Sequence, residues 1–267
     1  MKKQMQAGVS SACFYPMPLA QSLRLLGENG INCCEVFFNT FSEFSPDALR
    51  ELRGILDTYG MQVPSIHPFT SEWEYLFFFS EYPGRLEDGL ELYRRIFDAA
   101  QQLGAHVMVF HGDRLKGTCS IETYAERYRI LNNLGQQFGV TVCQENVPRT
   151  RCSSLDFIRA LRRELHDEIA FTADFKQALR SGMEISQMLN AMGSCLKHIH
   201  ISDNSPDSDC LAPGAGTLDF IKILSQLDGL GGVDTLMIEL YSKSFGSPQD
   251  LVESWRFLSN IIESVQN

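Results

Sequence analysis

Residues 86–111 read LEDGLELYRRIFDAAQQLGAHVMVFH. Leu86, Leu90, Tyr93, Ile96, Phe97 and Ala100 recur at the three- and four-residue spacing of one helical face, which predicts an amphipathic helix over 86–103. Gly104 ends it, since a left-handed cap carries no steric penalty for a residue without a Cβ. The run that follows, AHVMVFH, is short, apolar and closed by a histidine, and it predicts a strand over 105–111.

The same alternation extends outward in both directions. Strands are predicted at 6–12, 31–38, 62–67, 105–111, 140–146, 169–174, 196–202 and 235–240, with helical periods in the intervals and Gly30, Gly60 and Gly139 placed like Gly104, just before a strand. Alternating strands and helices argue for a parallel sheet. Eight units share 267 residues at about 33 each, the length of one strand, one helix and two loops in a (β/α)8 TIM barrel. The fold expected is α/β, a single barrel domain over 1–267, with no linker-like or low-complexity tract to divide it. Residues 203–217 (DNSPDSDCLAPGAGT) read as one long loop.

A chain with 44% hydrophobic and 21% charged residues, 20 Gly and 10 Pro is globular in composition. Its 33 acidic residues against 23 Lys and Arg give a formal charge of -10, leaving no electrostatic source for binding nucleic acid, though a local basic pocket remains open. Eight cysteines (13, 33, 34, 119, 143, 152, 195 and 210), with no Cys-x-x-Cys among them, suit reduced thiols and a cytoplasmic protein. The opening MKKQMQAGVSSACFYP lacks the apolar core of a signal peptide, and no segment has the sustained apolarity of a membrane span.

In such a barrel, chemistry sits at the carboxyl ends of the strands. Strand three ends at His67, four at His111 with Asp113 beyond it, five at Glu145 and Asn146, six at Asp174, seven at His200 with Asp203, and eight at Glu239. Glu145, Asp174, His200 and Glu239 come from four successive strands and should converge. Carboxylates and an imidazole gathered in a barrel mouth repel one another unless a cation neutralises them, so one divalent metal ion (Mn2+, Zn2+, Mg2+ or Co2+) is the natural partner. Any one of these acids alone reads equally as a helix N-cap or a solvated loop carboxylate. Four consecutive strands ending this way have no common structural explanation.

SIHPF (65–69), VFHGD (109–113), CQENV (143–147), TADFKQ (172–177), KHIHISDN (197–204), LAPGAGTLDF (211–220) and MIEL (237–240), in that order, resemble the xylose isomerase-like TIM-barrel superfamily, which unites sugar and sugar-phosphate isomerases and epimerases with the endonuclease IV group. The resemblance implies a metal held by Glu145, Asp174, His200 and Glu239, with Glu145 and Glu239 also serving as acid and base. It implies substrate contact or an additional metal at His67 and His111, and a non-ligand, interior-packing place for His198. Two departures stand out: Gln177 occupies the histidine place of the family's Asp-x-x-His, and Cys210 lies near where another histidine is usual. Both remove ligands that a trinuclear zinc centre needs and favour a single ion.

An ion chelated by a carbonyl and its neighbouring hydroxyl acidifies the adjacent C–H, and two glutamates could exchange the proton across an enediolate. The function expected is metal-dependent isomerisation or epimerisation of a small sugar or sugar phosphate. Alternatives are a keto-polyol (inosose-type) dehydratase, an endonuclease IV-like abasic-site nuclease, or a non-catalytic sugar-binding barrel. Around the ligands, His67, His111, Gln177, Lys176, Trp73 and Asp203 are expected to meet the substrate. The aromatic segment 68–83 reads either as a lid or as an association surface of a homo-oligomer, and cations from Arg114, Lys116, Arg149, Arg151, Lys176 and Lys243 as candidates to hold a phosphate or carboxylate.

Overall fold

In the computed structural model, which describes residues 5–266, eight of the strands close on themselves in parallel. The ends of the expected domain, 1–4 and 267, with the first four residues of the opening, lie outside the described residues. The barrel strands are β1 (Gln6–Ser10), β2 (Cys33–Phe38), β3 (Gln62–Pro68), β4 (Val107–Phe110), β5 (Thr141–Glu145), β6 (Ala170–Asp174), β7 (Leu196–Ile201) and β10 (Thr235–Ile238). Around the barrel they run β1-β10-β7-β6-β5-β4-β3-β2, with helices in the intervals, so the fold is a (β/α)8 TIM barrel.

The helices are α1 (Leu19–Glu28), α2 (Pro46–Tyr59), α3 (Ser71–Phe78), α4 (Arg85–Leu103), α5 (Ile121–Gln136), α6 (Leu155–Leu165), α7 (Phe175–Arg180), α8 (Ile185–Met192), α9 (Phe220–Leu230) and α10 (Pro248–Gln266). The apolar face read over 86–103 is the inner face of α4: Tyr93, Ile96, Phe97 and Ala100 are buried, while Leu86 and Leu90 pack at its edge. Gly30, Gly60, Gly104 and Gly139 all take positive φ, between 62° and 85°, which is why the chain can leave each helix and turn straight into a strand.

Two stretches differ from the sequence expectation. Strand one stops at Ser10 and tightens into a 3-10 turn, Ser11–Phe14, that brings Ala12 and Tyr15 over the barrel mouth. The expected loop 203–217 holds a small antiparallel hairpin, β8 (Asp203–Ser205) with β9 (Ser208–Leu211). Its strands are short and polar, so no hydrophobic period announces them. Asp203 staples the rest of the segment by accepting the backbone N–H groups of Asn204, Gly214, Gly216 and Leu218 at 2.8–3.0 Å. All eight cysteines are free and seven are buried. Among the described residues no helix is long and apolar enough to cross a membrane.

Register decides what meets inside. Asp174 lies directly opposite His200, Glu145 opposite Thr172, and Met237 opposite His200. Asp174 and His200 therefore pair directly, while Glu145 stands two residues earlier and Glu239 two residues later in register, the stagger that tilted barrel strands produce. On the other side of the barrel Ser10, Glu35 and Ser65 stand in register across β1, β2 and β3. The floor beneath the mouth is therefore polar, in contrast to the branched apolar layers that usually fill such a barrel.

Candidate active site

Asp174 ends β6 and is also the N-cap of α7. Its Oδ1 accepts the Gln177 N–H at 2.9 Å, while Oδ2 turns inward to 3.6 Å from His200 Nδ1. The helix-cap reading and the ligand reading of this residue are thus both satisfied, one by each oxygen. Glu145, the last residue of β5, places Oε1 at 3.0 Å from His200 Nδ1, and Glu239, just past β10, places Oε2 at 3.4 Å from the same nitrogen. One ligand atom from each of Glu145, Asp174, His200 and Glu239 falls within 4.8 Å of all the others, and all four residues are buried.

The second oxygens of the two glutamates face a pair of histidines. Glu145 Oε2 is 3.3 Å from His111 Nε2, Glu239 Oε1 is 3.3 Å from His67 Nδ1, and the two rings meet Nε2 to Nε2 at 3.0 Å. Two further sets, Glu35–His67–His200–Glu239 and His67–His111–Glu145, also bring ligand atoms within 4.8 Å. His198 belongs to none of the three sets and sits inside the barrel against Glu35.

Glu35 and Glu74 organise this cluster, and neither is expected from the sequence. Glu35 is fully buried on β2, accepts from Ser10 Oγ (3.0 Å) and Ser65 Oγ (2.8 Å), and pairs with His198 Nε2 (2.9 Å) and His200 Nε2 (3.1 Å). It thereby turns His200 Nδ1 toward the other carboxylates, as an outer carboxylate fixes the ring of a metal-ligating histidine. Its signal is a charge in the middle of the apolar run CCEVFF. Glu74, fully buried on α3, accepts the backbone N–H groups of His111 and Gly112 at 2.7 Å each and the Tyr93 hydroxyl at 2.9 Å, and lies 3.4 Å from His111 Nδ1.

Electrostatics follow from these contacts. Burial alone would raise Glu145, but the hydrogen bond and charge of His200 outweigh it and bring its pKa down to about 2. Glu35 and Glu239 are held well below the carboxylate range in the same way, burial opposing and His200 prevailing. Burial likewise opposes a charge on His200, yet Glu239 and Glu35 lift its pKa well above the imidazole value. At His111 burial pulls the pKa down, and the adjacent Glu74 carboxylate more than reverses that, leaving it raised.

Above the cluster opens a cavity of about 520 Å³, within the roughly 300–1,000 Å³ typical of small-molecule sites. His67, His111, Glu145, Lys176, Gln177 and Glu239 line it with Arg149 and Asn39, against Tyr15, Phe37, Phe69 and Tyr241. Two expected substrate contacts lie elsewhere. Asp203 is consumed by the four amides described above, and Trp73 packs at the rim against Phe41 and Phe69, at 5.2 and 5.7 Å between ring centroids. The 68–83 segment forms part of the wall, pinned by Glu74 from below and by Arg149, which reaches Glu72 and Ser71 at 2.9 Å each. Of the other loop cations, Arg151 faces Asp113 at 3.8 Å, Arg114 covers the Tyr75 ring, and Lys243 lines a separate outer groove.

The donor set suits a divalent cation. Three carboxylate oxygens and one imidazole nitrogen converge in a buried site, and the nitrogen is already aimed by Glu35. Fold and site together define a (β/α)8 barrel with a carboxylate–imidazole centre at its carboxyl-end mouth. The chain belongs to the xylose isomerase-like TIM barrel family, whose model matches residues 23–261. It is 19% identical over 258 residues to fructoselysine 3-epimerase of Escherichia coli O157:H7, covering 92% of this chain and 94% of that one. Among solved structures it superposes on a D-tagatose 3-epimerase-like protein with a TM-score of 0.75 at 20% identity, covering 98% of each chain. A xylose isomerase-like TIM barrel protein from Mycobacterium smegmatis in complex with magnesium superposes with a TM-score of 0.75 at 17% identity, covering 99% of this chain and 98% of that one.

Proposed function

We propose that this protein is a divalent-metal-dependent isomerase or epimerase of a small sugar or sugar derivative, with Glu145 and Glu239 exchanging a proton beside the substrate carbonyl by way of an enediolate. The observation that carries this reading is the meeting of Glu145, Asp174, His200 and Glu239 within 4.8 Å beneath a polyol-sized cavity. When bound, the ion, which these four residues would hold, supplies the Lewis acidity that polarises a carbonyl; the donor set does not select among Mn2+, Zn2+, Mg2+ and Co2+.

The chain's own residues do the rest. Glu145 and Glu239 stand on staves separated by β6 and β7, so they approach a bound carbon from different sides. One removes the proton as base and the other, protonated beforehand, delivers its own proton to the opposite face as acid, which inverts the centre; same-face return to the neighbouring carbon interconverts aldose and ketose. His67 and His111 orient the outer oxygens of the two glutamates and offer donors to substrate hydroxyls. Phe37, Phe69 and Tyr15 exclude water from the reacting carbon, and Arg149 stands at the rim as the contact for a phosphate or carboxylate substituent. The epimerase names of the relative and of the superposed structure support this class of reaction.

Incubation of a panel of ketoses and ketose phosphates with the protein and Mn2+ in D2O tests the proposal. Deuterium entering a carbon-bound position next to the carbonyl is the expected result. Failure to exchange any such proton across the panel, with the ion bound, would remove the assignment.

A further inference from the structure

Lys176 stands apart from every other cation of the loops. It is buried two residues after Asp174, on the first turn of α7, and its ammonium is ion-paired with Asp174 Oδ2 and Glu239 Oε2. These are the two oxygens that face His200 Nδ1 at 3.6 and 3.4 Å. The ammonium therefore stands on two of the four ligand atoms. Its backbone offers little freedom to be elsewhere, because Asp174 Oδ1 caps the same turn.

We propose that Lys176 and a divalent metal ion are alternative occupants of one seat: the ammonium neutralises Asp174 and Glu239 in the ion's absence, and an ion taking those oxygens displaces it into the cavity. This rests on the reading of Glu145, Asp174, His200 and Glu239 as the metal set. The two cations require the same lone pairs, and a divalent ion repels an ammonium held beside it. Lys176 already lines the cavity, so a displaced ammonium swings toward bound substrate and needs no backbone movement to do so. The side chain then has two roles, counter-ion without metal and donor to a substrate oxygen with it. Ion binding is weakened by the contacts it must break, and the cluster remains compensated when the ion is removed.

Binding of Mn2+ followed by electron paramagnetic resonance, on wild type, Lys176→Met and Lys176→Gln, reads the competition without reference to activity. Both variants should bind at least about tenfold more tightly than wild type, since each removes the competing charge. Affinity equal to or weaker than wild type in the folded variants overturns the shared seat. An arm on the unaltered protein decides the matter even where a variant fails to fold: acetylation of Lys176 by an N-hydroxysuccinimide ester, quantified by peptide mass spectrometry, should rise at least about threefold on saturation with Mn2+ as the amine leaves its carboxylates. Labelling unchanged by bound Mn2+ overturns the proposal and leaves the metal reading standing. No Mn2+ binding by any of the three chains removes the metal reading, and the shared seat with it.

Discussion

The two arcs of the barrel mouth are built on different principles. The arc from β5 through β6 and β7 to β10 presents charge at the ends of strands, where Glu145, Asp174, His200 and Glu239 point at a common centre. The arc from β2 to β4 supplies what holds that centre in shape: Glu35 behind His200, the His67–His111 pair against the outer glutamate oxygens, and Glu74 beneath His111. Both arcs are buried; the first gathers the inward ligand atoms at one point, and the second holds them by contacts from behind and beside, with His67 and His111 also lining the cavity. A substitution in one should cost turnover, and in the other affinity or stability.

The largest effect separates the arcs most sharply. Glu145→Gln or Glu239→Gln should lower deuterium wash-in by about 10²–10⁴-fold, the range for a positioned acid or base, with an unchanged circular dichroism spectrum. A loss of folding comparable to the loss of exchange would erase the distinction. On the supporting side, Glu35→Gln should weaken Mn2+ binding about 10–100-fold by releasing the His200 ring from its outer partner, as measured by calorimetric titration. If Mn2+ affinity stays at the wild-type level, Glu35 is interior packing and the ring is oriented by something else.

Glu74→Ala should cost stability directly. It strands the N–H groups of His111 and Gly112 in a buried site and leaves the Tyr93 hydroxyl with Thr70 alone, which amounts to about 3 kcal/mol or more in urea unfolding. A loss below about 1 kcal/mol would show that α3 is held by its aromatic packing and not by this carboxylate. The last effect is read in acid. Because Glu145 has a pKa of about 2 in the fold against 4.5 for an unperturbed glutamate, the stability it contributes is complete above pH 4.5 and is lost as pH falls toward 2. Wild type should therefore lose stability relative to Glu145→Gln over that window, and parallel curves would contradict the depressed pKa.

The same contrast explains what can be read from residues alone. Strand-end acids are legible because an apolar run that stops on a carboxylate marks both the element and its mouth, and register then does the work: Asp174 meets His200 because β6 and β7 pair in parallel at that level. His67, His111 and Gln177, which the family resemblance puts at the substrate, and Lys176, read as one of the loop cations, all line the cavity. Glu74 is hidden within an aromatic run, WEYLFFF, whose hydrophobicity points toward a lid or an association face. Its partners lie 37 and 38 residues away, a contact that local pattern cannot announce. Asp203 misleads for the opposite reason. It stands at the correct strand end, but its oxygens are taken by the amides of the turn that follows.

The most direct test of the central claim is anomalous diffraction from crystals of the protein grown with Mn2+. A single strong peak about 2.0–2.3 Å from the inner oxygens of Glu145, Asp174 and Glu239 and from His200 Nδ1, with the Lys176 ammonium moved off Asp174 and Glu239, is the predicted result. A peak remote from these four residues, or none at an Mn2+ concentration that saturates binding in solution, would contradict it.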